Sequence, residues 1–311
     1  MTTEKYGKVV KGLGGLYETR IPTDEGSERL VSRAKGILHR DEEKLLVGDN
    51  VRVSIDPDTP DGIVISEVLE RRNSLIRPPI ANLDYIFIVF AAAKPTPVLE
   101  TVDKLISISE YNKITPVVVI TKADLSPEAA EEYRAIYELS GIPVFVTSSE
   151  AGEGLSSLSE YIKNELRGGR TAAFAGASGV GKSTLMNSLF PGLALATAEI
   201  SKKIQRGRHT TRHVEIFDIE DSSETGFLAD TPGFSLIDFE RFDFMPLDAL
   251  AETFRELLPY VGKCRYADCA HVGERADECA VANAVREGKI SPSRLESYRS
   301  IYKAIKAKKN Y

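Results

Sequence analysis

One octapeptide constrains this chain more than any other feature. Gly176, Ala177, Ser178, Gly179, Val180, Gly181, Lys182 and Ser183 stand between the apolar run Thr171 to Ala175 and a helix-like segment that opens on Ser183 and Thr184. A glycine-rich turn between a strand and a helix lets backbone N–H groups converge on phosphate oxygens, and the helix N-terminus adds partial positive charge. Lys182 then reaches the β and γ oxygens, and Ser183 offers a hydroxyl to Mg²⁺. The pattern implies a P-loop in an α/β unit that binds a nucleoside triphosphate.

The surroundings of the loop extend that expectation. Tyr85 to Phe90 and Val117 to Ile120 are continuously apolar, as strands buried on both faces must be, and helical spacing follows at Val98, Val102, Leu105 and Ile106. Ser126 and Pro127 supply an N-cap and a first-turn proline for a helix ending near Gly141. Alternation of this kind predicts a mostly parallel sheet with helices on both faces. Ligands of such sheets lie at the C-terminal ends of the strands. Asp230, followed by Thr231, Pro232 and Gly233, ends one apolar run there, where it can hold Mg²⁺ through water while the Gly233 amide meets a γ-phosphate. Thr121, Lys122, Ala123 and Asp124 end another. The Asp124 carboxylate can accept both the N1–H and the N2–H₂ of guanine, whereas adenine presents an acceptor at N1. Thr147, Ser148 and Ser149 end a third, with hydroxyl and backbone donors suited to the guanine O6. The set favours GTP over ATP.

Outside this region the rhythm differs. With 311 residues, two or three domains are expected. From Tyr6 to about Arg72, short β-like runs alternate with turns, which suits an OB-like barrel, an SH3-like module or another five-stranded barrel. After Asp238 the pattern becomes helical, and Leu295, Tyr298, Tyr302 and Ile305 form an apolar stripe. All three Cys of the chain, Cys264, Cys269 and Cys279, gather there with His271, the Cys₃His set of a structural zinc site with no open position for catalysis. The longest apolar run, Tyr85 to Ala93, is about half the roughly 20 residues that cross a bilayer. The N-terminal segment lacks an apolar leader core, and three Cys cannot complete a disulfide set, so a cytoplasmic protein with no membrane partner is expected. A net charge of −6 argues against coating nucleic acid with the whole surface. Local basic stretches remain: Lys202, Lys203, Arg206 and Arg208, and the C-terminal segment with Arg299, Lys303, Lys306, Lys308 and Lys309.

The nucleotide motifs resemble those of translation-factor-type GTPases, but both base motifs precede the P-loop. A circular permutation explains that order, because domain termini often lie close together. A β-barrel, a permuted GTPase and a Cys/His cluster together resemble the ribosome small subunit-dependent GTPase A (RsgA, also YjeQ) family over essentially the whole chain. The resemblance implies a multidomain α/β protein: an OB-fold RNA-binding domain at 1–72, a circularly permuted GTPase domain at 73–237 and a helical zinc-binding domain at 238–311. It implies GTP and GDP, Mg²⁺ and one structural Zn²⁺ per chain as ligands. It implies ribosome-stimulated GTP hydrolysis on the small (30S) ribosomal subunit and its rRNA, late in assembly, by a monomer. It also places the Mg²⁺-sensing switch Thr at Thr211, within Gly207 to Thr211.

Two departures from the family pattern stand out, with a third from small GTPases at large. Thr121 occupies a position usually held by Asn. Two extra residues lie between His271 and Cys279. Phe234 stands where many small GTPases carry a water-orienting Gln, which leaves His209 as a candidate for that task, beside Lys182 and Thr211 as catalytic residues. The alternatives are a P-loop kinase or phosphotransferase acting on a small molecule, for which no second-substrate motif is found, and a binding module that uses nucleotide only for structure.

Overall fold

The computed structural model describes residues 2–35, 44–59, 62–76, 78–191, 214–220, 225–230 and 245–308, with the backbone alone at Asp230. The chain divides into two compact units: residues 1–85, 157–174 and 186–234, and residues 86–156, 175–185 and 235–311. Each draws on more than one of the segments expected from sequence.

In the first unit, β1 (Thr3–Leu13), β2 (Leu16–Thr23) and β3 (Gly26–Ala34) pair antiparallel in succession. β3 then runs parallel to β5 (Ile63–Val68), β5 antiparallel to β4 (Asn50–Ile55), and β4 back to β1, with Thr3 opposite Ile55. These pairings close a ring of five strands, and closure removes edges that would otherwise invite aggregation. Alternation puts Val9, Ile21, Ala34, Val51, Val53 and Ile65 inside one core, which Leu45 joins from the segment before β4. A short hairpin, β6 (Ser74–Ile76) and β7 (Pro79–Ala81), follows; no strand was expected there. It packs closely: a Cβ on Gly48 would lie 2.1 Å from the Ala81 carbonyl oxygen, and Gly48 has φ +93°, so only glycine fits.

The same unit holds α3 (Leu155–Leu166), β11 (Thr171–Ala175), β12 (Glu215–Asp218) and β13 (Phe227–Asp230). β11 and β13 are parallel, β12 is antiparallel to β13, and Lys11 of β1 faces Glu215 of β12 in register, with its ammonium 2.9 and 3.0 Å from the carboxylate oxygens. Arg20 and Arg29 both pair with Asp218, which further ties the ring to β12.

In the second unit, β8 (Tyr85–Ala91), β9 (Thr115–Thr121) and β10 (Val144–Val146) lie in the order β10-β9-β8, with β9 and β10 parallel. Every residue of β8 is buried, as its continuous apolar sequence predicts. α1 (Leu99–Tyr111) buries Val102, Leu105 and Ile106, but Val98 is the extended residue before it and is 65% exposed. α2 (Pro127–Glu138) begins on its proline, although the Ser126 hydroxyl makes no cap bond. α4 (Lys182–Leu189) follows the glycine-rich loop.

Residues 245–308 contain 3₁₀ turns at Leu247–Thr253 and Arg255–Leu257, then α5 (Ala280–Arg286) and α6 (Pro292–Lys308). The buried stripe of α6 runs through Leu295, Tyr298, Ile301 and Ile305, while Tyr302, expected in it, is only half-buried. Within the buried face lies Arg294, 1% exposed. Its Nη1 donates to Asp103 of α1 at 2.6 Å, its Nε donates to Glu256 at 2.6 Å, and its guanidinium lies 4.5 Å from the Phe254 ring centroid. Burial pushes the Asp103 carboxyl up, and Arg294 is foremost in opposing that shift, joined by the Ser297 and Tyr137 hydroxyls. Among the described residues no helix is long and apolar enough to cross a membrane.

Removing the cation leaves two carboxylates without their buried partner. Arg294→Ala is therefore expected to destabilise the protein by about 3–5 kcal/mol. The chain has no Trp, so the urea midpoint should be followed by far-ultraviolet circular dichroism; an unchanged midpoint would refute the assignment.

Candidate functional site

The glycine-rich loop is shaped by close approach. A Cβ on Gly176 would sit 2.1 Å from the Val89 carbonyl oxygen of β8, and Gly179 and Gly181 have φ of +79° and +96°. Side chains would strain all three positions. Lys182 folds over the loop, its ammonium donating to the carbonyls of Gly176 at 2.6 Å and Ala177 at 2.7 Å, and burial lowers its pKa. Ser178, Gly179, Ser183 and Thr184 are exposed, Ala177 is half-buried, and Val180 is buried beneath the loop.

The first base loop is fastened to this phosphate loop by two side chains. The Thr121 hydroxyl lies 2.5 Å from the Val180 carbonyl oxygen and 3.2 Å from that of Phe90. Lys122, held at φ +54°, donates to the carbonyls of Gly179 at 2.8 Å and Lys94 at 2.7 Å. Thr121 thus bonds to the phosphate loop through its hydroxyl alone. Ala123 N–H donates to the Thr147 carbonyl at 3.2 Å, which joins the two base loops.

Asp124 is exposed, and its Oδ1 accepts from the Ser148 hydroxyl at 2.5 Å. That hydroxyl in turn accepts from the Ala151 N–H at 3.1 Å, and Thr147 donates to the Ile120 carbonyl at 3.2 Å. Both hydroxyls are therefore spent on holding loops, and the exposed carboxylate is the group left facing outward. Ser149 is half-buried. Sequence reasoning missed Gly154, where a Cβ would fall 2.1 Å from the Val146 carbonyl oxygen, so the loop after β10 could not close with another residue there. The Gly152-Glu153-Gly154 spacing was the available signal, and the structure gives Gly154 a φ of +70°.

Asp230 ends β13 as the pattern predicts, but its side chain lies outside the described residues. The other switch assignments lie outside them altogether: His209 and Thr211 within Gly207 to Thr211, Gly233 and Phe234, and the basic residues Lys202, Lys203, Arg206 and Arg208. Lys309 does as well.

The sulfur–nitrogen cluster is fully described. His271 Nδ1 lies 3.5 Å from Cys264 Sγ and 3.4 Å from both Cys269 Sγ and Cys279 Sγ, and the sulfurs of Cys264 and Cys279 are 3.9 Å apart. All four ligand atoms lie within 4.8 Å of one another. A zinc tetrahedron with bonds of about 2.0 Å to nitrogen and about 2.3 Å to sulfur has edges of roughly 3.5–3.8 Å, so the residues fit this metal. Burial and the neighbouring sulfurs push the Cys269 thiol up to about 12, so thiolates here need a cation. Burial lowers the His271 pKa, which keeps the imidazole a neutral donor. Amides support the sulfurs: Ala280 N–H donates to Cys264 Sγ at 3.3 Å, and Ala282 N–H to Cys279 Sγ at 3.4 Å. From α6, Tyr298 and Arg299 donate to the carbonyls of Ala270 and His271 at 3.1 Å each.

Comparisons with known proteins agree with this geometry. A family model described as RsgA GTPase matches residues 68–240. The "Small ribosomal subunit biogenesis GTPase RsgA" of Alkaliphilus metalliredigens is 36% identical over 307 residues, covering 98% of this chain and 99% of that protein. Its namesake in Bacillus velezensis is 38% identical over 309 residues, covering 97% and 98%. Among solved structures, YjeQ from Thermotoga maritima has a TM-score of 0.77 at 30% identity, covering 97% of this chain and 99% of its own. YloQ, described as a circularly permuted GTPase, has a TM-score of 0.77 at 29% identity, covering 98% and 96%.

Two outcomes are expected. Purified protein should carry one zinc per chain by elemental analysis, and Cys279→Ser should lose it and expose residues 264–286 to protease; retention of full occupancy would refute the ligand set. Thr121→Val removes one hydrogen bond worth about 1 kcal/mol, so GDP should bind roughly fivefold more weakly in a fluorescent-nucleotide titration.

Proposed function

The chain belongs to the RsgA GTPase family, and we propose that this GTP-hydrolysing enzyme of ribosome biogenesis binds the small (30S) ribosomal subunit and assists its late maturation, releasing GDP and phosphate. The observation that supports this most is the fastening of Thr121 and Lys122 to the carbonyls of Val180 and Gly179, which joins the loop after β9 to the glycine-rich loop within one unit. Guanine would be read by the outward-facing Asp124 carboxylate, with Thr147, Ser148 and Ser149 lining the O6 side. The triphosphate would lie on the amides of residues 176–184, with Lys182 turning from its own loop's carbonyls to the β and γ oxygens.

In this reading Mg²⁺ would be held by Ser183, by Thr211 in the GTP state, and through water by Asp230, supplying charge neutralisation along the phosphates. Gly233 would donate to the γ-phosphate and lose that contact after hydrolysis, so nucleotide state sets affinity for the subunit. His209 is assigned the positioning of attacking water, which Phe234 cannot perform.

The five-stranded ring is assigned as an OB-fold and its domain, 1–72, as RNA-binding, beside a permuted GTPase at 73–237 and a zinc domain at 238–311. Zinc would supply a cross-link among Cys264, Cys269, His271 and Cys279, whose own task is to fix the surface around α5. The basic residues of α6 would meet rRNA phosphates, and the protein would work as a cytoplasmic monomer.

The deciding measurement is GTP turnover with and without purified small subunits. Strong stimulation is expected. Transfer of phosphate to a small molecule, or no turnover at all, would overturn the proposal. Base recognition has its own test: Asp124→Asn should weaken GTP binding by roughly 10²-fold or more, because a site built to pair with the base is left mismatched, and should gain xanthosine triphosphate in exchange.

A further inference from the structure

A second cationic site lies in the first unit, lined by none of the motif residues described above. Lys8 of β1 and Arg20 of β2 are direct register partners on neighbouring antiparallel strands. They are 8% and 4% exposed. Like charges placed opposite each other in a ladder repel, and burial sharpens the cost. Gly7 makes the approach tighter still, since a Cβ there would meet the Arg20 carbonyl oxygen at 2.5 Å. Both cations sit over one face-bearing ring, Phe227, with Lys8 Nζ 5.7 Å and Arg20 Cζ 5.2 Å from its centroid.

These groups line an open pocket of about 690 Å³, with Asn50, Arg72 and Arg170 also in its wall. The carboxylates nearby are already engaged. Asp218 pairs with Arg20 and Arg29, Asp84 with Arg72, and Asp49 with Arg71. Arg170 lies 3.7 Å from Glu165. Lys8 alone among the pocket's cations has no ion pair or hydrogen bond from its ammonium to any described residue. Burial pulls its pKa down to about 8, with Asp84 and Asp49 opposing that shift from a distance and Arg72 adding to it. With that value above neutral, a buried positive charge faces the pocket with no ion-pair partner among the described residues.

We propose that this pocket binds a phosphate group and that Lys8 is its counter-ion. Four cations converging on one cavity suit a multiply charged oxyanion better than a carboxylate, and the two rim arginines present planar donor forks to its oxygens. The phosphate has two chemical sources, a small phosphorylated molecule or the backbone of RNA. The second deepens the function proposed above and rests on it; the first does not.

The test uses full-length protein saturated with GDP and Mg²⁺, so that the P-loop is filled. Inorganic pyrophosphate should then bind saturably by titration calorimetry, and Lys8→Met should weaken it at least tenfold without altering GDP affinity. Arg170→Glu, a change at the half-exposed rim, should do the same and serves if Lys8→Met lowers the melting temperature. Co-sedimentation with small subunits identifies the source. A parallel tenfold loss in Lys8→Met points to RNA phosphate, and unchanged co-sedimentation points to a small ligand. Wild-type protein that takes up no pyrophosphate, or variants that bind it as wild type does, would overturn the proposal. Failure of wild-type protein to bind subunits would instead sink the ribosomal function and leave the pyrophosphate result to decide the pocket.

Discussion

The hydroxyl of Thr121 holds together the part of the molecule on which its chemistry depends. It accepts no help from an amide, yet from the end of β9 it reaches both the neighbouring strand at Phe90 and the phosphate loop at Val180. The base loops precede the phosphate loop in the chain, and 59 residues separate Thr121 from Val180, so no local connection sets their spacing. Lys122 reinforces the tie by spanning from Lys94 to Gly179. A short side chain does the bridging here because the Val180 carbonyl comes within reach of it.

How much of this was legible in the sequence follows from the range of each interaction. The P-loop could be read because its glycines, lysine and serine act within eight consecutive residues, and the structure shows why at Gly176, whose missing Cβ makes room for Val89. The Cys₃His cluster was equally local, and its four ligand atoms lie together. Spacing along one chain says nothing, by contrast, about register between strands. Lys8 and Arg20 lie in runs that read as ordinary alternation, and only the pairing of β1 with β2 sets them side by side.

Arg294 shows the same limit in a helix. In sequence it belongs to a basic amphipathic segment, where a cation is expected to face water. In the structure it is buried, because its acidic partner Asp103 arrives from 191 residues earlier and Glu256 from 38. The stripe drawn through Tyr302 slipped for a related reason: the face of α6 that meets α1 is chosen by this ion network and by Ile301, and Tyr302 turns partly outward. Charge patterning describes a helix in isolation, whereas burial is decided by what packs on it.

α6 carries more than one attachment. Near its start Arg294 enters the interior beside α1, and one turn later Tyr298 and Arg299 grasp the carbonyls of the loop that bears His271. The last helix is consequently a splice between the metal loop and the nucleotide-binding core, and damage to it travels. A truncation ahead of residue 294 would therefore strip out an internal support of this unit and not only a surface helix.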